Sequence, residues 1–367
     1  MAVTSQAERR EFRGALRSFL QTGYPDLSTE SRVELDSERD AAVWRRLVTE
    51  LALPGLLVPE KHDGQGFGFT EAVIALEEAA RVLLVAPLLS SSVLATYAVL
   101  ASGEQSAGYL SALAGGELIA SVATVDDPAV EVVATATGGG WTLTGRKVAV
   151  LDACRATHFV VSARSGDGVG LFLLPLGAAG LSVVANAPFD LTRDLASLDL
   201  TAVTAQRLGD DATAVLSTLG DVGAMAAAAE LVGVAQRALE IAVSYALQRE
   251  QFGHLIGSFQ AVKHLCAEML AAVESSRAAV TAAAAAADDD PSRLPEAASI
   301  AKAYCAENCT ATIEKLIQVL GGIGFTWEHP AHLLLRRAKS LEALFGDAAA
   351  HRERIGQLLN LNPTASI

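Results

Sequence analysis

Three stretches of the chain differ in how their apolar residues are spaced. From Ser5 to about Glu117 the spacing is three and four, as in RREFRGALRSFL and DAAVWRRLVTELAL, which predicts amphipathic helices. The turn-rich PEKHDGQGFG interrupts them. Gly64, Gly66 and Gly68 mark a loop there, and a further helix is expected over FTEAVIALEEAARVLL. From about Leu118 to Leu208 the period shortens. ELIASVATV, VEVVATATGGGWTLTGRKVAVL, THFVVSAR and GLFLLPL are Val-, Thr- and Leu-rich runs between glycine clusters, which predicts strands joined by hairpins, one turning at Gly138–Gly140. From Asp211 helical spacing returns. AMAAAAELVGVAQRALEIAVSYALQREQF, FQAVKHLCAEMLAAVESSRAAVTAAAAAA and EAASIAKAYCAENCTATIEKLIQVLGG are long, and HPAHLLLRRAKSLEALFG with AAAHRERIGQLL makes a fourth. DDDPSRLP ends the second, because its prolines cannot continue a helix. The expected class is α+β: an N-terminal helical domain over 1–117, a middle antiparallel β-barrel-like domain over 118–208, and a C-terminal four-helix bundle over 209–367.

Composition narrows the classes. Hydrophobic residues make up 51% of the 367 and charged residues 19%, enough apolar material for a sizeable core. Lys and Arg total 28 against 42 Asp and Glu, a formal charge of −14 with no basic block. Nucleic-acid binding and polybasic docking on lipid are therefore not expected. MAVTSQAERREFRGAL lacks an apolar run, so no secretory leader is expected. The Ala-rich stretches are interrupted by Glu, Arg or Gly, so no membrane span is expected. Cys154, Cys266, Cys305 and Cys309 do not form a disulfide framework, which suits a cytoplasmic protein. Cys305 and Cys309 could share a helical face, but further ligands are lacking. His254, His264, His329 and His332 are scattered without ligand spacing, and no metal is assigned.

Chemistry enters through three segments. REQFGHLIGSFQAVKH (Arg249 to His264), QVLGGIGFTWEHP (Gln318 to Pro330) and PEKHDGQG with Glu77–Glu78 resemble the acyl-CoA dehydrogenase flavoproteins, in family order and at family spacing. The resemblance implies a tetramer in which FAD lies between two subunits. One subunit's β domain walls the flavin ring, and the neighbour's bundle holds the adenine and diphosphate end. By motif position Arg249, Phe252 and Gln260 belong to that second set, joined by Gln318 and Gly322. The physics suits the roles: Arg is a forked cation for a diphosphate, and glycine lets backbone approach closely. Taken alone, these residues also fit a solvated surface (Arg249, Gln260), a core position (Phe252) and a helix C-cap (Gly321–Gly322). The implied reaction is α,β-desaturation of an acyl-CoA thioester. A carboxylate takes the α-proton, hydride passes to the flavin, and an electron-transfer flavoprotein reoxidises it.

The chain also departs from that family. The usual Glu-Gly that carries the base is here Phe345–Gly346, and a phenyl ring accepts no proton. A minority of members place the Glu on the bundle's first helix, about two turns before the segment containing Gly233. That region is GDVGAMA, whose one carboxylate, Asp221, does not match by spacing. No catalytic residue is assigned. Glu230, Glu342 and Asp347 are the carboxylates a relocated base would draw on, and each also fits a solvated helix face or helix end. In the β domain, Thr124-Val125-Asp126-Asp127-Pro128 replaces Thr-Glu-Pro, and no Gly-Ser-Asp follows. The Trp and Thr that meet the flavin ring are Ala149 and Leu151, which offer neither stacking surface nor donor. Loss on one side only is not how random decay sorts residues.

The sequence therefore resembles the base-lacking partner subunit of heterotetrameric, steroid-type acyl-CoA dehydrogenases of actinobacteria. Such a chain would complete its partner's FAD site. Two alternatives stay open: a self-sufficient homotetramer with a relocated base, and a flavin enzyme or scaffold of the same fold without dehydrogenation.

Overall fold

The computed structural model describes residues 4–23, 37–166, 168–209 and 212–361. Helices α1 (Gln6–Gly23), α2 (Ser37–Leu51) and α3 (Phe69–Arg81) form the N-terminal layer. A wide π-wound segment, Leu88–Ala95, runs into α4 (Thr96–Ala101), and α5 (Leu110–Ala114) closes the layer. The π segment is absent from the sequence reading. Its LLSSSVLA has no amphipathic period, and all eight residues are buried, so tertiary packing sets its shape.

Seven strands follow: β1 (Ala120–Ala123), β2 (Val133–Thr137), β3 (Gly140–Leu151), β4 (His158–Ser165), β5 (Gly168–Pro175), β6 (Leu181–Ala185) and β7 (Leu195–Leu208). The order is β1-β4-β2-β3-β7-β5, and β5 also pairs with β4, which closes the sheet on itself. Most pairs are antiparallel, but β1 runs parallel to β4, and β2 meets β4 in parallel through Val133 and Arg164. The expected hairpin turn joins β2 to β3, with Thr137 opposite Gly140. Phe159, Phe172, Leu143 and Leu198 fill the barrel.

The C-terminal part contains α6 (Thr213–Ala246), a small hairpin of β8 (Glu250–Gln251) and β9 (His254–Leu255), α7 (Gln260–Asp289), α8 (Leu294–Leu320), α9 (Ala331–Ala343) and α10 (Ala348–Leu358). The single fourth helix of the sequence reading is thus two. Phe345 and Gly346, with φ of 59° and 96°, sit in the left-handed region and end α9. Among the described residues α6 is long and apolar enough to cross a membrane, against the expectation of none, but it is mostly buried inside the protein. Its run Ala224–Ala229 is fully enclosed, the small side chains letting neighbouring helices approach closely.

One contact fixes the N-terminal layer on α6. A Cβ on Gly233 would lie 2.1 Å from the Glu77 carbonyl oxygen, so α3 crosses where only hydrogen fits. Around that crossing Glu77 pairs with Arg13 and Arg277, and Glu78 with Arg13 and Arg17. Both carboxylates are buried, and the arginines of α1 and α7 neutralise them. The N-terminus of α3 is capped from α7: Asp288 accepts hydrogen bonds from the backbone amides of Phe69 (2.7 Å) and Thr70 (2.9 Å).

Candidate active site

A cavity of about 660 Å³ opens where the three layers meet. The π segment contributes Ser90 and Leu94, and the strand ends contribute Val122, Thr124, Asp126, Ala149, Leu151 and Ser162. From the bundle come Leu216, Leu219 and Gly220 of α6 and the α9–α10 loop from Ala343 to Gly346. The walls are mostly apolar.

The structure brings both of the expected base positions to one point. Phe345 lines the cavity, and its ring lies against Gly223 of α6, where a Cβ would come within 2.5 Å of the ring. Gly223 belongs to the GDVGAMA stretch in which the minority position was sought. A ring and a glycine therefore occupy the place between them, and no carboxylate does.

The backbone of that loop is nonetheless held tightly. Lys302 of α8 is fully buried and donates to the carbonyl oxygens of Glu342 (2.8 Å) and Gly346 (2.7 Å). Burial pushes its ammonium down to about 8. His351 of α10 bridges from Nε2 to the Phe345 carbonyl at 2.8 Å, which makes Nε2 the protonated nitrogen. Burial lowers its pKa, and nearby Lys302 and Arg354 add to the effect, so the ring stays neutral.

The three carboxylate candidates lie outside this cavity's lining and are engaged elsewhere. Glu230 is buried against Arg193 and 3.6 Å from Arg337, which also binds Asp190 at 2.6 Å. Burial alone would raise the Asp190 carboxyl, but Arg337 and Arg193 outweigh it and hold it below the usual range. Glu230 thus joins barrel to bundle. Glu342 pairs with Lys339 (3.1 Å) and accepts from Thr310. Asp347 caps α10, accepting from the Ala350 amide at 2.8 Å. Asp221 is buried and paired with Arg354.

A carboxylate the sequence reading did not single out does reach the cavity. Asp126 lines it, salt-bridged at 2.7 Å to Lys147, whose side chain is fully buried and also donates to Ser162. The Val132 amide bonds the same Asp126 oxygen. Two donors thus converge on Asp126 Oδ1 and fix the carboxylate in place. The clue lay in Lys147, a cation directly before the apolar run Val148–Leu151 that ends the strand. Behind the wall, Asp152 accepts from Ser90 at 2.6 Å, and burial raises its carboxyl to about 6.

The wall at β3 keeps an unusual backbone. The β3–β7 register slips between Lys147 and Val150, a bulge, and Ala149 within it has φ of 54°. Such bends re-aim side chains, here a methyl group. Leu151 is buried and has no polar atom. Neither Ala149 nor Leu151 offers a flavin ring a stacking surface or a hydrogen-bond donor.

The predicted cofactor residues lie elsewhere. Arg249, Phe252, Gln260, Gln318 and Gly322 are all exposed. Phe252 and Gly253 form the two-residue turn of the β8–β9 hairpin with φ of 54° and 76°, as a type I′ turn requires. A phenylalanine there is strained, and its ring is 89% exposed. Gln260 is the first residue of α7. Helices α7 and α8 are connected through Pro291–Arg293 and aligned by Glu268–Lys315 at 2.8 Å, which brings Gln260 and the end of α8 to the same end of the bundle. Gly321 is the C-cap of α8, and a Cβ on Gly322 would meet open space.

Comparison with known proteins decides the family. Residues 6–117 match the N-terminal domain of acyl-CoA dehydrogenases, and residues 204–359 match their C-terminal domain. IpdE2, an acyl-CoA dehydrogenase of Mycobacterium tuberculosis, is 30% identical over 92% of this chain and 92% of its own length. The chain belongs to the acyl-CoA dehydrogenase family. Acyl-CoA dehydrogenase FadE34 of the same organism is 38% identical over 88% of this chain, which spans only 43% of that protein. Among solved structures, the ChsE4–ChsE5 complex of M. tuberculosis superposes with a TM-score of 0.88 at 29% identity, covering 99% of this chain and 100% of that one. A Tcur3481–Tcur3483 steroid ACAD variant gives 0.86 at 30% identity, covering 97% and 98%. Acyl-CoA dehydrogenases are oxidoreductases, and FAD is their usual cofactor.

Proposed function

We propose that this chain is one subunit of a two-component, FAD-dependent acyl-CoA dehydrogenase, and that it completes the cofactor site of a base-bearing partner. One observation carries the reading. The wall where the family's ring contacts are expected bears Ala149 and Leu151, and the expected base position holds Phe345 against Gly223, yet the residues expected to hold a diphosphate stand exposed at the bundle end. Arg249 and Gln260 would hold the diphosphate of the partner's FAD, Phe252 and Gln318 would flank it, and Gly322 would let backbone approach. FAD in that site would take the hydride from the acyl β-carbon. The α-proton would go to a carboxylate of the partner.

Two neighbours support the pairing, since one is a complex of unlike chains and the other carries a paired name. The word steroid in the second supports a bulky acyl-CoA as substrate. FadE34, more than twice as long as its matched segment, has room for a second unit of this size. An electron-transfer flavoprotein would be the oxidant, and the cytoplasm the location.

The test is flavin retention in the co-expressed complex. Arg249→Ala and Gln260→Ala in this chain should each lower the flavin absorbance per tetramer after gel filtration. Unchanged flavin content in both variants would refute the role.

A further inference from the structure

We infer that a second cavity, between α2 and the barrel, binds an aliphatic monocarboxylic acid such as a medium-chain fatty acid. This site is separate from the candidate active site and does not depend on the partner-subunit reading.

The second cavity holds about 550 Å³, in the range of small-molecule sites. It shares no lining residue with the first. Asp152 stands between the two: its carboxylate accepts from Ser90 of the first cavity, and its amide donates to the Asp194 carbonyl of the second. The walls are mostly aliphatic, with Ala41 of α2, Val85 and Pro87 ahead of the π segment, Ile119 ahead of β1, and Pro188 and Leu195 at the β6–β7 connection. Trp44 lines the cavity too, but the residue is only 8% exposed and offers little face for stacking. An alkyl body therefore suits these walls better than an aromatic one, and its burial supplies most of the affinity.

Charge selects the head group. On the floor, Arg155 lies between Asp40 (3.1 Å) and Asp194 (2.9 Å), and both carboxylates are buried. On the rim, Arg45 and Asn186 are exposed. The adjacent Arg46 pairs with Glu50, whereas Arg45 makes a single hydrogen bond, from Nε to the Ala41 carbonyl at 3.4 Å, and no ion pair. Its two Nη groups are left for a ligand. Asn186 accepts from Ser197 through Oδ1, which leaves its Nδ2 as a further donor. A forked guanidinium and an amide nitrogen suit one carboxylate. A polyanion fares worse. Two arginines balance two aspartates in the lining, so no surplus of positive charge meets it, and Asp40 and Asp194 repel it. The phosphates of an acyl-CoA or of FAD are disfavoured on that ground, which separates this occupant from substrate and cofactor.

The test is equilibrium dialysis of radiolabelled laurate against the full-length chain. Saturable binding of one laurate per chain is expected, with dodecanol weaker by about tenfold or more. Arg45→Gln, a change at an exposed position, should lower laurate affinity by about tenfold and leave that of dodecanol unchanged, since one charge-assisted pair is removed. Ala41→Trp, also exposed on α2, fills the cavity and should weaken both ligands. Val125→Trp at the half-exposed mouth of the first cavity should weaken neither. Should Ala41→Trp fail to fold by circular dichroism, Arg45→Gln and Val125→Trp still decide the matter. Absence of saturable laurate binding, equal affinity for dodecanol, unchanged affinity in Arg45→Gln, or loss of binding in Val125→Trp would overturn the inference.

Discussion

The β3 wall and the bundle end are opposite kinds of remnant. At the wall the backbone is specialised and the side chains are not: a bulge and a left-handed residue present a methyl group. At the bundle end the side chains are specialised and face solvent: a cation, two amides and a strained, exposed phenylalanine. The difference teaches that scaffold and chemistry are separable. A backbone shape is secured by many buried contacts and survives the exchange of three residues. A polar set in the open has no such support from the fold, which is why the proposed function assigns it to a partner's site.

The sharpest way to break this comparison is turnover. The lone chain, assayed with acyl-CoAs and an artificial electron acceptor, should be slower than ordinary family members by about 10²–10⁴-fold, the usual worth of a general base. Phe345→Glu alone should not restore the rate, because the wall at Ala149 and Leu151 is unchanged. Ordinary turnover in the native chain, or recovery in that single variant, would collapse the distinction.

A smaller effect shows how the α9–α10 loop is held. Lys302 ionises near 8 when folded against 10.5 in the open chain. For a base with a depressed value, the stabilising contribution is full above 10.5 and lost as pH falls through 8. Urea denaturation between pH 8 and 10.5 should therefore show the native chain gaining about 3 kcal/mol relative to Lys302→Met. Parallel pH profiles for the two proteins would mean that Lys302 is not enclosed as described.

The smallest effect is a factor of two. A tetramer with two copies of this chain and two of a competent partner should hold two FAD, where a homotetramer of intact chains would hold four. Native mass spectrometry with flavin absorbance counts them. The chain alone should purify nearly colourless, and full occupancy would show that Ala149 and Leu151 do not disable the wall.

Much of this was legible in the sequence because it is written in local patterns. The long helices and the strand region follow from apolar period, and Arg249, Phe252 and Gln260 from a contiguous motif. What stayed hidden depends on distant partners. The contact of Phe345 with Gly223 joins a loop to a helix far apart in sequence. The ion pairs of Glu230 come from a barrel loop and α9. The π-wound Leu88–Ala95 is shaped by burial that no period reveals. The division of the last helix was nearer to hand, since Gly346 is a recognisable stop. The I′ turn was masked because Phe-Gly stands where Asn-Gly is usual.

The crossing at Gly233 has a consequence for biosynthesis. The first hundred residues leave the ribosome before α6 and α7, yet α3 needs Gly233 to pack against and Asp288 to cap it. Domains that close on themselves mature as they emerge. Here the N-terminal layer must wait, its apolar faces uncovered, until α7, which ends at Asp289, has been made. Nascent chains truncated before Asp288 should therefore be protease-sensitive in their first third and depend on chaperones for recovery, and the native N-terminal layer should appear only once α7 is complete.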